Sequence, residues 1–458
     1  MRAQLWALLL GCAVTAGVHA QQRLTLSEAI ALAKEQNPEI VIARKQVEAA
    51  RGGVVEARAA SLPAVVSTGL LRKRTQQEQT RLRDDDYSAS IRVVQSVYSA
   101  GANKALKRIA QLTQEKRELE LAALTNRVVM DLRSAYYELL LNRANIGVRE
   151  QSLQVMRDEL RSQEERFAAG TVGELNVRRA EVSLANEQPE LFAARTRLQN
   201  SYLRIGELVG VTMKPNERMP RFQVAGDLQY NRQQPDLNTA LAYAAENRPE
   251  IHSRQLDVEI EEQQLIVDRS ELRPRLEAFG GYELYSERDP EVGEEFNHGW
   301  VVGVNAVWHI FDGFATRGRV QATRARRDAA AEALQAMQNT VESEVRSAFF
   351  DLQQADRVLE SETRNVQNAS ESLEIARANF GAGLGTQLEV LQATADVTRA
   401  RTTRLNAIYL HNVALARLAR ATGREAEELR SAHVPNEQDA KRHAQAFDVA
   451  RPPASLSR

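Results

Sequence analysis

The sequence predicts a mainly helical chain that also carries membrane-type β-hairpins, laid out as two tandem copies of one plan. Three observations predict it. Leu132, Leu139, Ile146, Leu153, Leu160 and Phe167 repeat an apolar position every seven residues, and so do Val345, Leu352, Leu359, Val366, Leu373 and Phe380. Upstream of each series the apolar period falls from seven to two. Landmarks also recur at a fixed offset: Pro38 and Pro249, and Pro63 and Pro274, are 211 apart, whereas Tyr98 and Phe311, Gly170 and Gly383, and Gly210 and Gly423 are 213 apart. The two extra residues therefore belong to the second hairpin, in a loop, where added length costs little.

A period of seven drifts on a straight helix of 3.6 residues per turn. Holding such a seam against a neighbour requires a left-handed supercoil, so each series predicts a long helix packed as a coiled coil. The composition agrees: 458 residues, 26% charged, 5% aromatic, formal net charge −1. That balance gives no reason to expect nucleic acid. Met1 to Ala20 reads as a secretory signal, with basic Arg2, an apolar core from Leu5 to Val18, and cleavage before Gln21. The only cysteine, Cys12, follows Leu10-Gly11 in the outline of a lipid-attachment box, but the apolar run continues past it. Downstream there is no run of 18 apolar residues, so any membrane segment has to be β.

In order, residues 1–20 are the signal, 21–215 the first repeat, 216–235 a linker, 236–423 the second repeat and 424–458 a polar tail. Thr25 and Glu28 have capping-box spacing. Asn37-Pro38-Glu39 starts a helix, with Asn37 as cap and proline at the first turn, running to about Ser61. A hairpin occupies about 63–100. In it Tyr87, Ala89, Ile91, Val93 and Val97 alternate with Ser88, Ser90, Arg92 and Ser96, and a polar loop from Thr75 to Asp86 holds Asp84-Asp85-Asp86. Coiled helices follow over about 102–210. The first, Ala102 to about Ala168, would be ~100 Å long at 1.5 Å per residue. Pro189 falls inside the second and predicts a kink. The second repeat offers a hairpin at about 274–312 and coils at about 315–422. Trp300, Val302, Val304, Ala306, Trp308 and Ile310 share one face of its last strand, with Gly303, Asn305 and His309 on the other. Trp300 and Trp308 are spaced like the two aromatic girdles that bound the ~25 Å apolar band of an outer-membrane barrel.

One copy supplies four strands, which cannot close a barrel, and open edges are not tolerated in lipid. Two copies give a barrel too narrow for a duct; three give twelve strands and a lumen. The expected architecture is thus a homotrimer whose 12-stranded β-barrel is continued by an α-barrel on one side of the membrane.

The order of Asn-Pro-Glu helix start, hairpin, long coil, glycine turn, return coil and near-copy resembles the TolC-like outer-membrane efflux factors. Ile310-Phe311-Asp312-Gly313 and Phe380-Gly381-Ala382-Gly383-Leu384-Gly385-Thr386, with a poorer partner at Phe167 to Gly173, are similar to segments of that family. The resemblance covers about 24–423. It implies a passive exit duct of a tripartite efflux pump or type I secretion system, in the outer membrane with a long periplasmic portion. It also implies three kinds of partner: outer-membrane lipid, a periplasmic adaptor and an inner-membrane transporter that supplies the energy.

Carried over by position, Gly170, Thr171, Val172 and Gly173 with Gly383, Leu384, Gly385 and Thr386 are the candidate adaptor-docking tips. Glycine there permits a tight reversal and close backbone approach. Glu389 and Gln392 match positions that line the family's periplasmic constriction, where three copies of Glu389 would form a carboxylate ring favouring cations. The first repeat has Asn176 opposite Glu389. Trp300 and Trp308 are the candidate aromatic girdle. The seven histidines show no metal-ligand spacing, and no nucleophile motif, phosphate loop or paired-carboxylate constellation stands out, so neither an enzyme nor a cofactor is expected. The competing class is a soluble periplasmic coiled-coil adaptor or scaffold. Two coils, each preceded by an amphipathic hairpin, favour the duct.

Overall fold

The computed structural model describes residues 22–73, 85–211, 216, 218–220, 222–233, 235–286 and 296–424. The expected signal, most of the first hairpin loop and nearly all of the tail lie outside them.

The first half runs β1 (Gln22–Leu24), α1 (Leu26–Gln36), α2 (Pro38–Ala59), β2 (Ala64–Lys73), β3 (Asp85–Tyr98), α3 (Ala102–Ala168) and α4 (Glu174–Val209). After β4 (Phe222–Val224) the second half repeats it: α5 (Leu237–Asn247), α6 (Pro249–Ser270), β5 (Arg275–Ser286), β6 (Phe296–Val307), α7 (Ala315–Gly381) and α8 (Gln387–Thr422). The paired helices match in length: 22 residues for α2 and α6, 67 for α3 and α7, 36 for α4 and α8.

The punctuation predicted from sequence forms these boundaries. Thr25 and Glu28 close a reciprocal capping box on α1, and the Asn37 side chain accepts from the N–H groups of Glu39 and Ile40 at the start of α2. Gly210 and Gly423 end the return helices in the left-handed conformation. At Gly210 no other residue fits, because a Cβ would stand 2.3 Å from the Gln36 carbonyl. The α4 helix runs through Pro189 without interruption.

Each half has a core where its short helix crosses its long ones. Ala29, Ala33, Leu132, Leu139 and Ile205 are buried together in the first half; Ala240, Ala244, Val345, Leu352 and Leu418 are their counterparts in the second. The heptad seam is tightest there and loosens toward the glycine turns, where Phe167 is 47% exposed. The halves join laterally: α3 packs on α6 and α8 as well as on α2 and α4. Lys116 Nζ reaches Asp257 at 2.5 Å and Thr398 Oγ1 reaches Ser152 Oγ at 3.2 Å across that joint.

The two hairpins form one antiparallel sheet in the order β2-β3-β5-β6, with β2 and β6 as free edges. It is open within a single chain. Three expectations are corrected here. Residues 216–235 are more than a linker, because β4 pairs in parallel with β1, Gln22 to Phe222 through Leu24 to Val224. Asp85 and Asp86 belong to strand β3, opposite Lys73 and Arg72, rather than to a loop. The last strand ends at Val307, so Trp308 and Ile310 lie in the turn that leads to α7.

Candidate functional site: an inverted sheet, two helical tips and a strap

The sheet is inside out for a water-soluble protein. Register puts Val93, Ile91 and Tyr87 of β3 beside Tyr282 and Leu284 of β5, and Tyr282 beside Trp300 of β6. This apolar face is bare: Trp300 is 83% exposed and Val302 84%. The opposite face carries the polar partners. The Thr68 and Ser90 hydroxyls lie 2.7 Å apart, Arg72 pairs with Asp86, and Arg92 pairs with Glu283 while its guanidinium stands 5.6 Å from the Phe279 ring centroid. Close packing on that side excludes side chains at two places: a Cβ at Gly281 would meet the Ile91 carbonyl at 2.2 Å, and one at Gly303 the Phe279 ring at 2.7 Å. An apolar face this large has no stable exposure to water. Polar side chains within and apolar ones outside is the pattern of a barrel wall facing lipid. Of the expected girdle, Trp300 stands on this face with Tyr282 edge-on at 5.4 Å. Trp308 sits past the strand end, its indole N–H donating to the Leu272 carbonyl at 3.0 Å. No helix among the described residues is long and apolar enough to cross a membrane.

The long helices carry the chain away from the sheet to two tight reversals. At the first, Gly170 is left-handed and the Thr171 N–H donates to the Arg166 carbonyl at 2.9 Å. Thr171 is exposed, Val172 half-buried, and Gly173 precedes α4 without a side-chain cap. At the second, Gly383 is left-handed and the N–H groups of Leu384 and Gly385 both donate to the Asn379 carbonyl. Thr386 then caps α8, its hydroxyl accepting from the Glu389 N–H. The two tips stand together. Gln387, 3% exposed, donates from Nε2 to the Asn176 carbonyl at 3.1 Å, and Arg166 lies 4.7 Å from the Phe380 ring centroid.

Glu389 has a local task that its charge alone did not reveal. Its carboxylate accepts from the Thr386 N–H at 3.3 Å, closing a capping box, so it turns back toward the tip. Gln392 is exposed on the same helix. Sequence reasoning missed the apolar pair just past the tips. Leu175 and Leu388 are 59% and 46% exposed and lie 213 apart, and Leu384 between the helices is 82% exposed. The signal was present as the same residue at the repeat offset.

A strap between the halves was also missed. Tyr136 donates its hydroxyl to the Ala225 carbonyl at 2.6 Å; burial pushes that phenol up to about 12. Arg143 Nη1 donates to the Val224 carbonyl at 2.9 Å. Farther along, Asn412 Nδ2 donates to the Gln229 carbonyl at 3.0 Å and Tyr230 donates its hydroxyl to Asp356 at 3.2 Å. His411, fully buried, has Nε2 3.2 Å from the Asn231 carbonyl, so that nitrogen carries the proton. Its Nδ1 lies 2.8 Å from Asp356 Oδ1 without hydrogen-bond alignment. Residues 224–231 are thereby fastened first to α3 and then to α7 and α8. Among the described residues no group of three His, Cys, Asp or Glu could hold a metal ion.

An apolar-outward sheet continued by coils several times longer than an ordinary helix defines a class: an outer-membrane channel with a helical stalk. Comparison with known proteins gives the family. The profile of the outer membrane efflux protein family matches residues 29–211 and 240–424, and the chain belongs to that family. It is therefore an outer-membrane efflux duct with a long periplasmic part. The chain is 23% identical over 409 residues to the outer membrane protein TolC of Vibrio cholerae, covering 88% of this chain and 91% of that one. A membrane protein from Pseudomonas aeruginosa has the same fold, with a TM-score of 0.75 at 19% identity over 87% of this chain and 90% of its own. The CmeC outer membrane channel of Campylobacter jejuni gives 0.74 at 17% identity, covering 92% and 90%.

Proposed function

We propose that this duct works as a homotrimer in which three four-stranded sheets close a 12-stranded barrel and the coils close a tube of pseudo-six-fold symmetry below it. One observation carries the reading. The α3 helix packs on α6 and α8, whereas among the described residues the main packing of α7, its counterpart, is on α5, α6 and α8, the counterparts of α1, α2 and α4. Its free flank exposes Phe350 and Ile375 at 57% and 61%, and α4 exposes Val182 and Phe192 at 59% and 64%. A neighbouring copy that presents α2 and α4 to α7 would cover both, and would pair the β6 edge with the next β2. Each half of the chain, 21–215 and 236–423, then acts as one stave of the tube.

The tips at Gly170 to Gly173 and Gly383 to Thr386 form the docking end for a periplasmic adaptor, which links the duct to an inner-membrane transporter. Exposed Leu175, Leu384 and Leu388 give that contact apolar anchors. Glu389 and Gln392 line the entrance, with Glu389 divided between capping α8 and lending charge to the opening. A soluble scaffold is not favoured, since its sheet would leave Trp300 and Val302 in water.

Gly383→Glu tests the docking reading. It is expected to cut export while light scattering in detergent still finds trimers; unchanged export would remove the tips from the adaptor contact. Glu389→Gln should reduce cation block in planar bilayers, and an unaltered block would leave Glu389 with its capping role alone.

A further inference from the structure

Within one chain, α3 and α6 run side by side from the sheet. Glu259 and Ile266 of α6 face α3, and Gln263 falls between them in one stripe, at the spacing of the same helix face. Glu259 accepts from Arg108 at 3.3 Å, and Ile266 Cγ2 lies 3.6 Å from where a side chain on Gly101 would begin. Beside this contact Ala102 and Ala105 are buried, at 5% and 2%.

The counterpart positions on α2 and α7 face no such partner. Ala315 and Gly318, which match Ala102 and Ala105, are exposed. Glu48, Gly52 and Val55, which match the α6 stripe, are exposed too, Val55 at 70%. Side-chain bulk has changed sides between the two settings. Gln263 and Gln264 of α6 are replaced on α2 by Gly52 and Gly53, and a Cβ at either glycine would meet nothing within 4 Å. Gly101 ahead of α3 is replaced ahead of α7 by Phe314. Phe314 keeps the left-handed backbone of the glycine, φ 69° against 90°, a conformation that a bulky residue adopts only when its surroundings impose it. Its ring is 65% exposed and stands edge-on to Phe311, itself 70% exposed.

We propose that Phe314 of one copy seats in the notch formed by Gly52, Gly53 and Val55 on α2 of the next copy. The inference rests on the trimeric reading above and deepens it, naming the knob and the hole of the subunit joint just below the membrane. The joint inside the chain uses ion pairs at this level, Arg108 with Glu259 and Lys116 with Asp257. Their counterparts, Gln321 with Glu48 and Ala329 with Gln46, cannot form an ion pair. An aromatic knob in a glycine notch takes over, so the two joints cannot be exchanged during assembly.

The test uses the full chain in outer membranes. Phe314→Cys combined with Val55→Cys is expected to give disulfide-linked dimers and trimers on oxidation, and neither single variant should. Gly52→Gln alone should raise the monomer fraction about tenfold on mild heating in detergent. Phe314→Gly with Gly52→Gln, which copies the internal joint, should recover most of that loss, as coupled neighbours do. Trimers that persist with no 314–55 disulfide, or double-variant effects that simply add, would overturn the knob and leave the trimer standing. A wild-type chain that light scattering finds monomeric would overturn both.

Discussion

The two halves of this chain have the same helices at the same lengths, and they differ where each meets its surroundings. Core positions are nearly interchangeable: Ile205 and Leu418 are both fully buried at the same place in the plan. The flanks are not. The first long helix is enclosed on both sides by its own chain, and the second is enclosed on one. Duplication supplies the scaffold, and divergence is concentrated in the contacts that a single chain cannot make for itself. The strap shows the same split. Arg143 holds it on α3, and Asp356, at the matching position of α7, works there with His411 and Tyr230.

The comparison can be broken or sharpened by paired substitutions. The largest effect is expected in the cores, where Ile205→Ala and Leu418→Ala should each cost about 2–5 kcal/mol in denaturant unfolding. Similar losses are the expected result, and a large loss in only one half would mean that one repeat merely leans on the other. Next come the two faces of β6. Val302→Arg on the bare face should cost about 2–4 kcal/mol and deplete the outer-membrane pool, as a lipid-facing charge does. Val301→Arg on the opposite face should be tolerated, and equal depletion by both would deny that the sheet has a lipid side. At the strap, Arg143→Ala and His411→Ala each remove a partner from half-buried carbonyls, a loss of about 1 kcal/mol. Hydrogen exchange should quicken at 224–226 in the first variant and 229–231 in the second; quickening along the whole strap in both would mean one latch rather than two.

The smallest effects are those of pH. Glu28, held below the usual carboxylate range by the Thr25 N–H and hydroxyl, adds stability above its unfolded value of 4.5 that is lost as pH falls through its lower folded value. Tyr136, kept neutral by burial up to about 12, adds stability below 10 that is lost as pH rises toward 12. Thermal melts of Glu28→Gln and Tyr136→Phe should lose the acid and alkaline components respectively. Unchanged melts at both extremes would remove the linkage.

Much of this fold could be read from sequence because its long elements are periodic. Ala102 to Ala168 was bounded by Gly101 and Gly170, and the seam at Leu132 and Leu139 carried the period of a coiled coil. What escaped was short or paired at long range. Strands β1 and β4 have three residues each and are separated by nearly the whole first half, so no local pattern announces them. The strap is held by carbonyls, which every residue has. Trp308 matched the alternation of β6, but the chain turns toward α7 one residue too soon for it. Thr386 and Glu389 share the capping spacing of Thr25 and Glu28, and the charge of Glu389 drew attention away from that simpler use.

The pairing of β1 with β4 sets an order of events. Gln22 meets Phe222, and Tyr136 lies against both Leu24 and Ala225. A chain delivered from its beginning, as secreted chains are, exposes its opening strand early and must wait some 200 residues for the mate. Until then Leu24 has only part of its berth, on side chains of α1, α3 and α4, and the first stave stays unlatched. Completion of the first stave is thereby tied to arrival of the segment that joins it to the second, so the latch closes before the second stave begins.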